Sequence, residues 1–274
     1  MKTVMCAVAR TENKYIDEWC KYYFNLGFEH VYLFDNNDPD EPYVGDAISD
    51  EIKDKVTIFN VQGQGEHSAQ TNWYLRFYKE YGDTFDWCAF FDIDEFLFLN
   101  GECDNDINKF LAQDKFNGVQ QIMVKWKLFG DDGYIERDMS IPVYEFFKVV
   151  NDDKEPINRL LGKTMICGHL GELPTNMNCH YCRGLETAYP SGTRTPAKRY
   201  LMDYDGDPVF LNHYRTKTLR EFLETKLVRQ NRIYSSTPIT LRDYYFRVNT
   251  WTQEKQDFAD AWVKEHNIKD GKDL

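Results

Sequence analysis

The sequence has no long apolar run. No window of its 274 residues approaches the roughly 20 consecutive apolar residues that a membrane-spanning helix needs. Positive charge is also scarce: 33 Lys and Arg against 45 Asp and Glu give a formal net charge of −12. That balance excludes bulk attraction to a phosphate backbone and sets nucleic acid aside as a partner. Cysteine gives no disulfide framework. The seven cysteines, Cys6, Cys20, Cys88, Cys103, Cys167, Cys179 and Cys182, are odd in number and sit mostly within apolar segments, as expected for reduced, buried thiols. The opening stretch "MKTVMCAVARTEN" reaches Arg10 and Glu12 too soon for an export signal. The expectation is a cytoplasmic protein, with peripheral contact on the inner face of the membrane left open. No internal repeat, low-complexity segment or linker breaks the chain, so a single domain over 1–274 is expected. Nor does "VQGQGEHSAQ" (61–70) contain the G-x-x-x-x-G-K-[ST] pattern of a phosphate loop.

What the chain does have is core material. It is 42% hydrophobic and 16% aromatic, enough burial to offset the entropy of ordering one large domain. Strand-like runs at 3–9, 30–35, 55–61 and 87–91 alternate with helical patterns, one carrying Ile16, Trp19, Tyr23 and Leu26 before Gly27, another spanning 69–81. A helix near 104–113 precedes a strand at 117–126. Such alternation implies an α/β fold with a mostly parallel central sheet flanked by helices. Beyond 126 the pattern loosens, with strand-like pieces at 143–150, 159–167 and 208–214. Thr218 with Glu221 forms a capping box that opens a helix to about Gln230, and helical stretches near 240–249 and 253–266 complete a C-terminal helical extension.

Polar residues accumulate where the first four strands end: Arg10 and Glu12, then Asp35 and Asn36, then Gln62 to Gln70, then Asp92 and Asp94. Ligands of parallel α/β sheets bind beyond the carboxyl ends of the strands. In "WCAFFDIDEFLFLN" (87–100) three carboxylates, Asp92, Asp94 and Glu95, stand between two apolar flanks. Asp92 and Asp94 are two residues apart and point the same way on an extended chain. Oxygen ligands of this kind suit hard divalent cations such as Mg²⁺ or Mn²⁺. An isolated D-x-D is otherwise a solvated turn, but burial of its flanks demands partners for the carboxylates.

"RTENKYIDEWCKYYFNLGFEHVYLFDNND" followed by "FDWCAFFDIDEF" resembles the GT-A glycosyltransferases, in particular the bacterial surface-polysaccharide type related to family 2 and to family 92. The resemblance covers residues 3–100, with weaker matches at "KWKLFGDDG" (125–133) and "LNHYRTKT" (211–218). It implies a GT-A fold with a nucleotide-sugar-binding half (1–125), an acceptor-binding half (126–217) and C-terminal helices (218–274). It further implies that Arg10, Glu12, Asp35 and Asn36 line the nucleotide pocket with Gln70 nearby. Asp92, Asp94 and His213 would hold the divalent cation, and Glu95 would lie against the donor sugar or support the motif. Lys163 and Lys217 would approach the diphosphate, and Asp131 or Asp132 would accept the proton of the attacking hydroxyl. The implied reaction moves a sugar from a nucleotide-diphospho-sugar to a saccharide or lipid-linked saccharide acceptor with inversion, in surface polysaccharide or lipopolysaccharide synthesis.

Simpler readings stand beside these roles. His213 also fits an ordinary strand end, and Asp131-Asp132-Gly133 an ordinary Asx turn. Cys167, His169, Cys179 and Cys182 in "CGHLGELPTNMNCHYC" would suffice in number for zinc, although C-x-H is not a usual finger spacing. The basic residues of 215–247 (Arg215, Lys217, Arg220, Lys226, Arg229, Arg232, Arg242 and Arg247) form either a solvated helix face or a surface for anionic lipid. A sugar-phosphate nucleotidyltransferase shares the acidic motif but needs a Gly-rich basic loop after the first strand, which "ARTENKY" represents poorly. A non-enzymatic carbohydrate- or zinc-binding module is the third possibility.

Overall fold

Strand β1 (Thr3–Ala9) is buried along almost its whole length on both faces, the environment that a continuous run of Val, Met, Cys and Ala demands in a parallel sheet. It pairs in parallel with β2 (His30–Asp35), which pairs in parallel with β3 (Val56–Asn60). Ala9, Asp35 and Asn60 lie level in register, so these strands deliver their last residues to one edge. On the other side of β1 lies β4 (Trp87–Phe90), also parallel. These four match the strands expected from the sequence to within two residues.

The computed structural model describes residues 1–64, 69–150, 161–171, 177–197, 207–228, 240–248 and 250–268. Its sheet runs β3-β2-β1-β4-β7-β6-β9-β5, with β5 being Glu95–Phe98, β6 Gln121–Leu128, β7 Gly162–Cys167 and β9 Phe210–His213. A short β8 (Thr187–Ala188) pairs with β6. β7 runs antiparallel to both β4 and β6. The protein is therefore mixed α/β with a mostly parallel sheet.

Helix α1 (Asn13–Asn25) buries Tyr15, Ile16, Trp19, Cys20 and Tyr23, the stripe set by its 3.6-residue period. Gly27, at φ +94°, ends it. The Gly27 N–H donates to Phe24 O and the Phe28 N–H to Tyr23 O, the paired bonds of a left-handed helix stop that only glycine adopts without strain. Helix α2 (Ala69–Tyr81) places Trp73, Tyr74, Phe77 and Tyr78 in an aromatic core with Tyr32, Phe34, Phe85 and Phe90. Helix α3 (Ile107–Leu111) is capped by Asp106, whose side chain accepts from the N–H groups of Asn108 and Lys109.

The chain divides into two compact units, 1–126 with 160–212 and 127–159 with 213–274. The division falls within β6 and at the last residue of β9, so both strands remain members of the sheet. In the second unit α4 (Val143–Phe146) stands where a strand over 143–150 was expected. Pro142 fixes the entry, and burial of Val143 and Phe147, four apart, follows a helical rather than an alternating pattern. Only an isolated bridge from Phe129 to Val150 remains of the strand. Thr218 and Glu221 make the expected reciprocal capping box, and α5 (Leu219–Phe222) continues as a π-helical stretch, Leu223–Leu227. The expected end near Gln230 lies outside the described residues. Helices α6 (Leu241–Arg247) and α7 (Gln253–Glu265) enclose a core of Phe222, Leu223, Tyr244, Ala259 and Trp262 with α5.

Candidate metal centre

The turn between β4 and β5 is built from its own acids. The Glu95 N–H donates to Asp92 O at 3.0 Å, and the Asp92 N–H donates to Glu95 Oε2 at 2.8 Å. Helix α1 fixes this turn from outside. The Trp19 indole N–H is shared between Asp92 O (3.1 Å) and Glu95 O (3.0 Å), and Tyr23 Oη donates to Glu95 O at 2.9 Å. Tyr22 Oη reaches Leu97 O at 2.6 Å. The aromatic residues of α1 therefore orient the carboxylates as well as fill the core.

Asp94 and Glu95 are buried (3% and 0% exposed), as is His213 at the end of β9. β9 and β5 are neighbours in the sheet. One ligand atom from each of Asp94, Glu95 and His213 lies within 4.8 Å of the others. Among the described residues this is the one set of three metal-type side chains so arranged. Two carboxylates and an imidazole could hold a metal ion, and the nitrogen donor favours Mn²⁺ or a softer cation over Mg²⁺. Burial raises the pKa of Glu95 well above the ordinary range, the charges of Asp92 and Asp94 add to the rise, and Lys163 opposes it. A cation held here would favour the ionised form of Glu95.

Asp92, expected among the ligands, is engaged elsewhere. Lys163 Nζ donates to its Oδ2 at 2.6 Å and Gln70 Nε2 to its Oδ1 at 3.2 Å. Lys163, on β7, is 1% exposed and also lies 3.9 Å from Glu95 Oε1 and 3.4 Å from Cys179 Sγ. Burial works against its charge, yet Asp92, Cys179 and Glu95 outweigh that and hold its pKa well above the usual lysine value. Gln70 also donates to Tyr74 Oη at 3.0 Å. The sequence pattern placed neither Cys179 nor Tyr74 in this cluster, and Lys163 was marked only through the resemblance, as a basic residue approaching the diphosphate.

The remaining expected residues divide. Arg10 pairs with Asp38 at 3.2 Å, and Glu12 is buried at the start of α1, its carbonyl accepting from Tyr15. Asp35 is fully buried and accepts the N–H groups of Asn37 and Val44, both at 3.0 Å, so it braces the loop after β2. The Asn36 N–H extends the β-ladder to Ala9 O. Asn37, which the sequence did not single out, is the hub here, accepting from Thr11 N–H and donating to Asn13 Oδ1 and Pro42 O. Residues 65–68 of the adjoining segment lie outside the described residues.

In the second unit, Asp131 is 1% exposed and its carboxylate accepts from Tyr244 Oη (2.6 Å), Thr250 Oγ1 (2.6 Å), Gly133 N–H (3.1 Å) and Lys255 Nζ. Four donors occupy the carboxylate, all from within the second unit. Asp132 accepts the N–H groups of Lys148 (2.6 Å) and Val149 (3.1 Å), tying 132 to the chain after α4. Lys217 is buried at φ +56°, and its charge acts on Glu221. Arg220 pairs with Glu136 and Glu224, so its charge is compensated. Arg229 and Arg232 lie outside the described residues. In the Cys/His segment, His180 Nδ1 contacts Gly162 O (2.7 Å), Cys182 Sγ donates to Asn178 O (3.8 Å) and His169 lies near Asp83 (3.8 Å).

No known protein family matches the chain, and no curated protein matches it either. No helix among the described residues is long and apolar enough to cross a membrane. Fold and site thus define an α/β protein with a buried Asp–Glu–His cluster at a β-turn beyond the carboxyl end of a central parallel strand.

Proposed function

We propose that the protein is a metal-dependent glycosyltransferase of GT-A type, moving a sugar from a nucleotide-diphospho-sugar to a hydroxyl of a saccharide or lipid-linked saccharide. The observation that carries this reading is the convergence of Asp94, Glu95 and His213 beside the carboxyl ends of parallel strands. In sheets of this kind that edge is where nucleotides bind. A divalent cation held there supplies positive charge to a departing diphosphate. Around it, the chain's own residues do the positioning: Trp19 and Tyr23 fix the turn, Glu95 holds the Asp92 backbone, and Gln70 holds the Asp92 side chain. Asp92, about one-third exposed, remains within reach of a donor's ribose or sugar hydroxyls.

The acceptor-side base is left unassigned, since Asp131 and Asp132 are both committed to internal bonds. The reading fits a protein acting in the cytoplasm or on the inner face of its membrane, in surface polysaccharide or lipopolysaccharide synthesis. The test is release of nucleoside diphosphate from a panel of nucleotide sugars, with Mn²⁺ and with chelator. Metal-dependent release from one donor, lost in Asp94→Asn, supports the reading. Formation of a nucleotide sugar from a sugar phosphate and a nucleoside triphosphate would instead make the protein a nucleotidyltransferase.

A further inference from the structure

Strand β3 stands at one end of the sheet. Among the described residues it pairs with β2 alone, and its residues, VTIFN, are half-buried or exposed. The Val61 N–H donates to Asp35 O at 3.0 Å, so the Val61 backbone faces β2. Backbone groups alternate sides along a strand. Phe59 therefore faces β2 as well, while Ile58 and Asn60 turn their N–H and C=O groups to the open edge. Such an edge templates pairing with another chain and is ordinarily blunted by lysine or proline. β3 contains neither.

Beside this edge lies a cavity of about 370 Å³, walled by Phe34, Phe59, Phe77 and Tyr81. The Phe59 ring is 4.8 Å from Phe34 and 5.9 Å from Tyr81, on the face that carries α2. Arg76 and Glu80, both exposed and one turn apart on α2, also line it.

We infer that β3 is the contact through which two copies of this chain form a two-fold dimer with one continuous sheet. The inference is independent of the metal reading. The edge is self-complementary about Phe59. With the strands antiparallel across a two-fold axis at that residue, Ile58 of each copy opposes the partner's Asn60, and each pair exchanges both hydrogen bonds. The two Phe59 residues become a close cross-strand aromatic pair, each ring at the mouth of the other copy's cavity. The same axis sets the two α2 helices antiparallel on one face of the sheet. Arg76 and Glu80 lie symmetrically about position 78, so each Arg76 meets the partner's Glu80 and opposite charges pair twice. A foreign strand would also satisfy the backbone of the edge, but the two-fold match of these charges favours a second copy.

The test is sedimentation equilibrium of the full chain over a range of concentrations, where wild type should approach twice the 32.5 kDa of one chain. Ile58→Pro removes an N–H that faces the open edge, a place where a monomer tolerates proline, and should leave the chain monomeric. Arg76→Glu and Glu80→Arg change exposed side chains and set like charges against each other across the axis. Each should weaken dimerisation about tenfold or more. Arg76→Glu/Glu80→Arg should restore it, and the two single variants mixed together should pair with each other. Packing alone would produce neither result.

A wild-type chain that stays monomeric at every concentration overturns the inference, and so does a dimer that survives Ile58→Pro, because its contact would lie elsewhere. Circular dichroism checks that Ile58→Pro is folded. Should it not fold, the exposed charge variants decide: a dimer indifferent to both single reversals, or not recovered by the double reversal, overturns the inference.

Discussion

The indole N–H of Trp19 is shared between the carbonyl oxygens of Asp92 and Glu95, 3.1 and 3.0 Å away. A single side chain of α1 therefore closes the turn that presents the acidic cluster. Trp19→Phe keeps an aromatic ring in the core and removes the donor from two buried carbonyls. The expected cost is about 1–3 kcal/mol, measured by urea denaturation. Because the turn loosens, Mn²⁺ affinity should fall as well, whereas an aromatic change remote from the turn, such as Phe116→Leu, should lower stability alone.

Asp131 and Lys255 form a buried ion pair in the second unit, each 1% exposed, with Tyr244 and Thr250 completing the shell. Removing one partner strands the other charge, at a cost of about 3–5 kcal/mol. Lys255→Met should therefore destabilise strongly, and Asp131→Leu/Lys255→Met should recover a large part of the loss. An Asp131→Asn variant that retained full stability but lost all transfer activity would contradict the structural role given to Asp131 and return it to the chemistry.

Glu221 provides a pH dependence of known sign. Burial would raise its pKa, but the charges of Arg137 and Lys217 and the bonds from Thr218 outweigh burial and hold it below the ordinary glutamate value of 4.5. Arg137 Nε lies 3.0 Å from its Oε1, both side chains almost fully buried. A carboxyl depressed on folding contributes stability above its unfolded pKa, and that contribution disappears as pH falls through the folded value. The difference in melting temperature between wild type and Glu221→Gln should stay constant from neutral pH down to about pH 5 and shrink below it. A difference that grew on acidification would refute the assignment.

The sequence was most legible where local patterns decide structure. The run "TVMCAVA", the α1 stripe ended by Gly27, and the capping box at Thr218 and Glu221 each follow from short-range rules, and each element forms. Long-range pairing was not legible. Asp92 and Asp94 are interchangeable in a D-x-D read alone, and what separates them is Lys163, 71 residues from Asp92 in the chain. Asp131 sat in an apparent polar turn, but its partners Tyr244 and Lys255 lie 113 and 124 residues away and enclose it completely. The strand-like stretch 143–150 is too short for periodicity to distinguish strand from helix, and Pro142 at its entry favours the helix.

The central claim is that Asp94, Glu95 and His213 hold a divalent cation for a nucleoside diphosphate. The most direct test is calorimetric titration of uridine, guanosine, cytidine and thymidine diphosphates into wild type and Asp94→Asn, each with Mn²⁺ and with chelator. The account predicts that one diphosphate binds wild type only when Mn²⁺ is present and does not bind Asp94→Asn. Binding that is indifferent to Mn²⁺, or unchanged by Asp94→Asn, would contradict it.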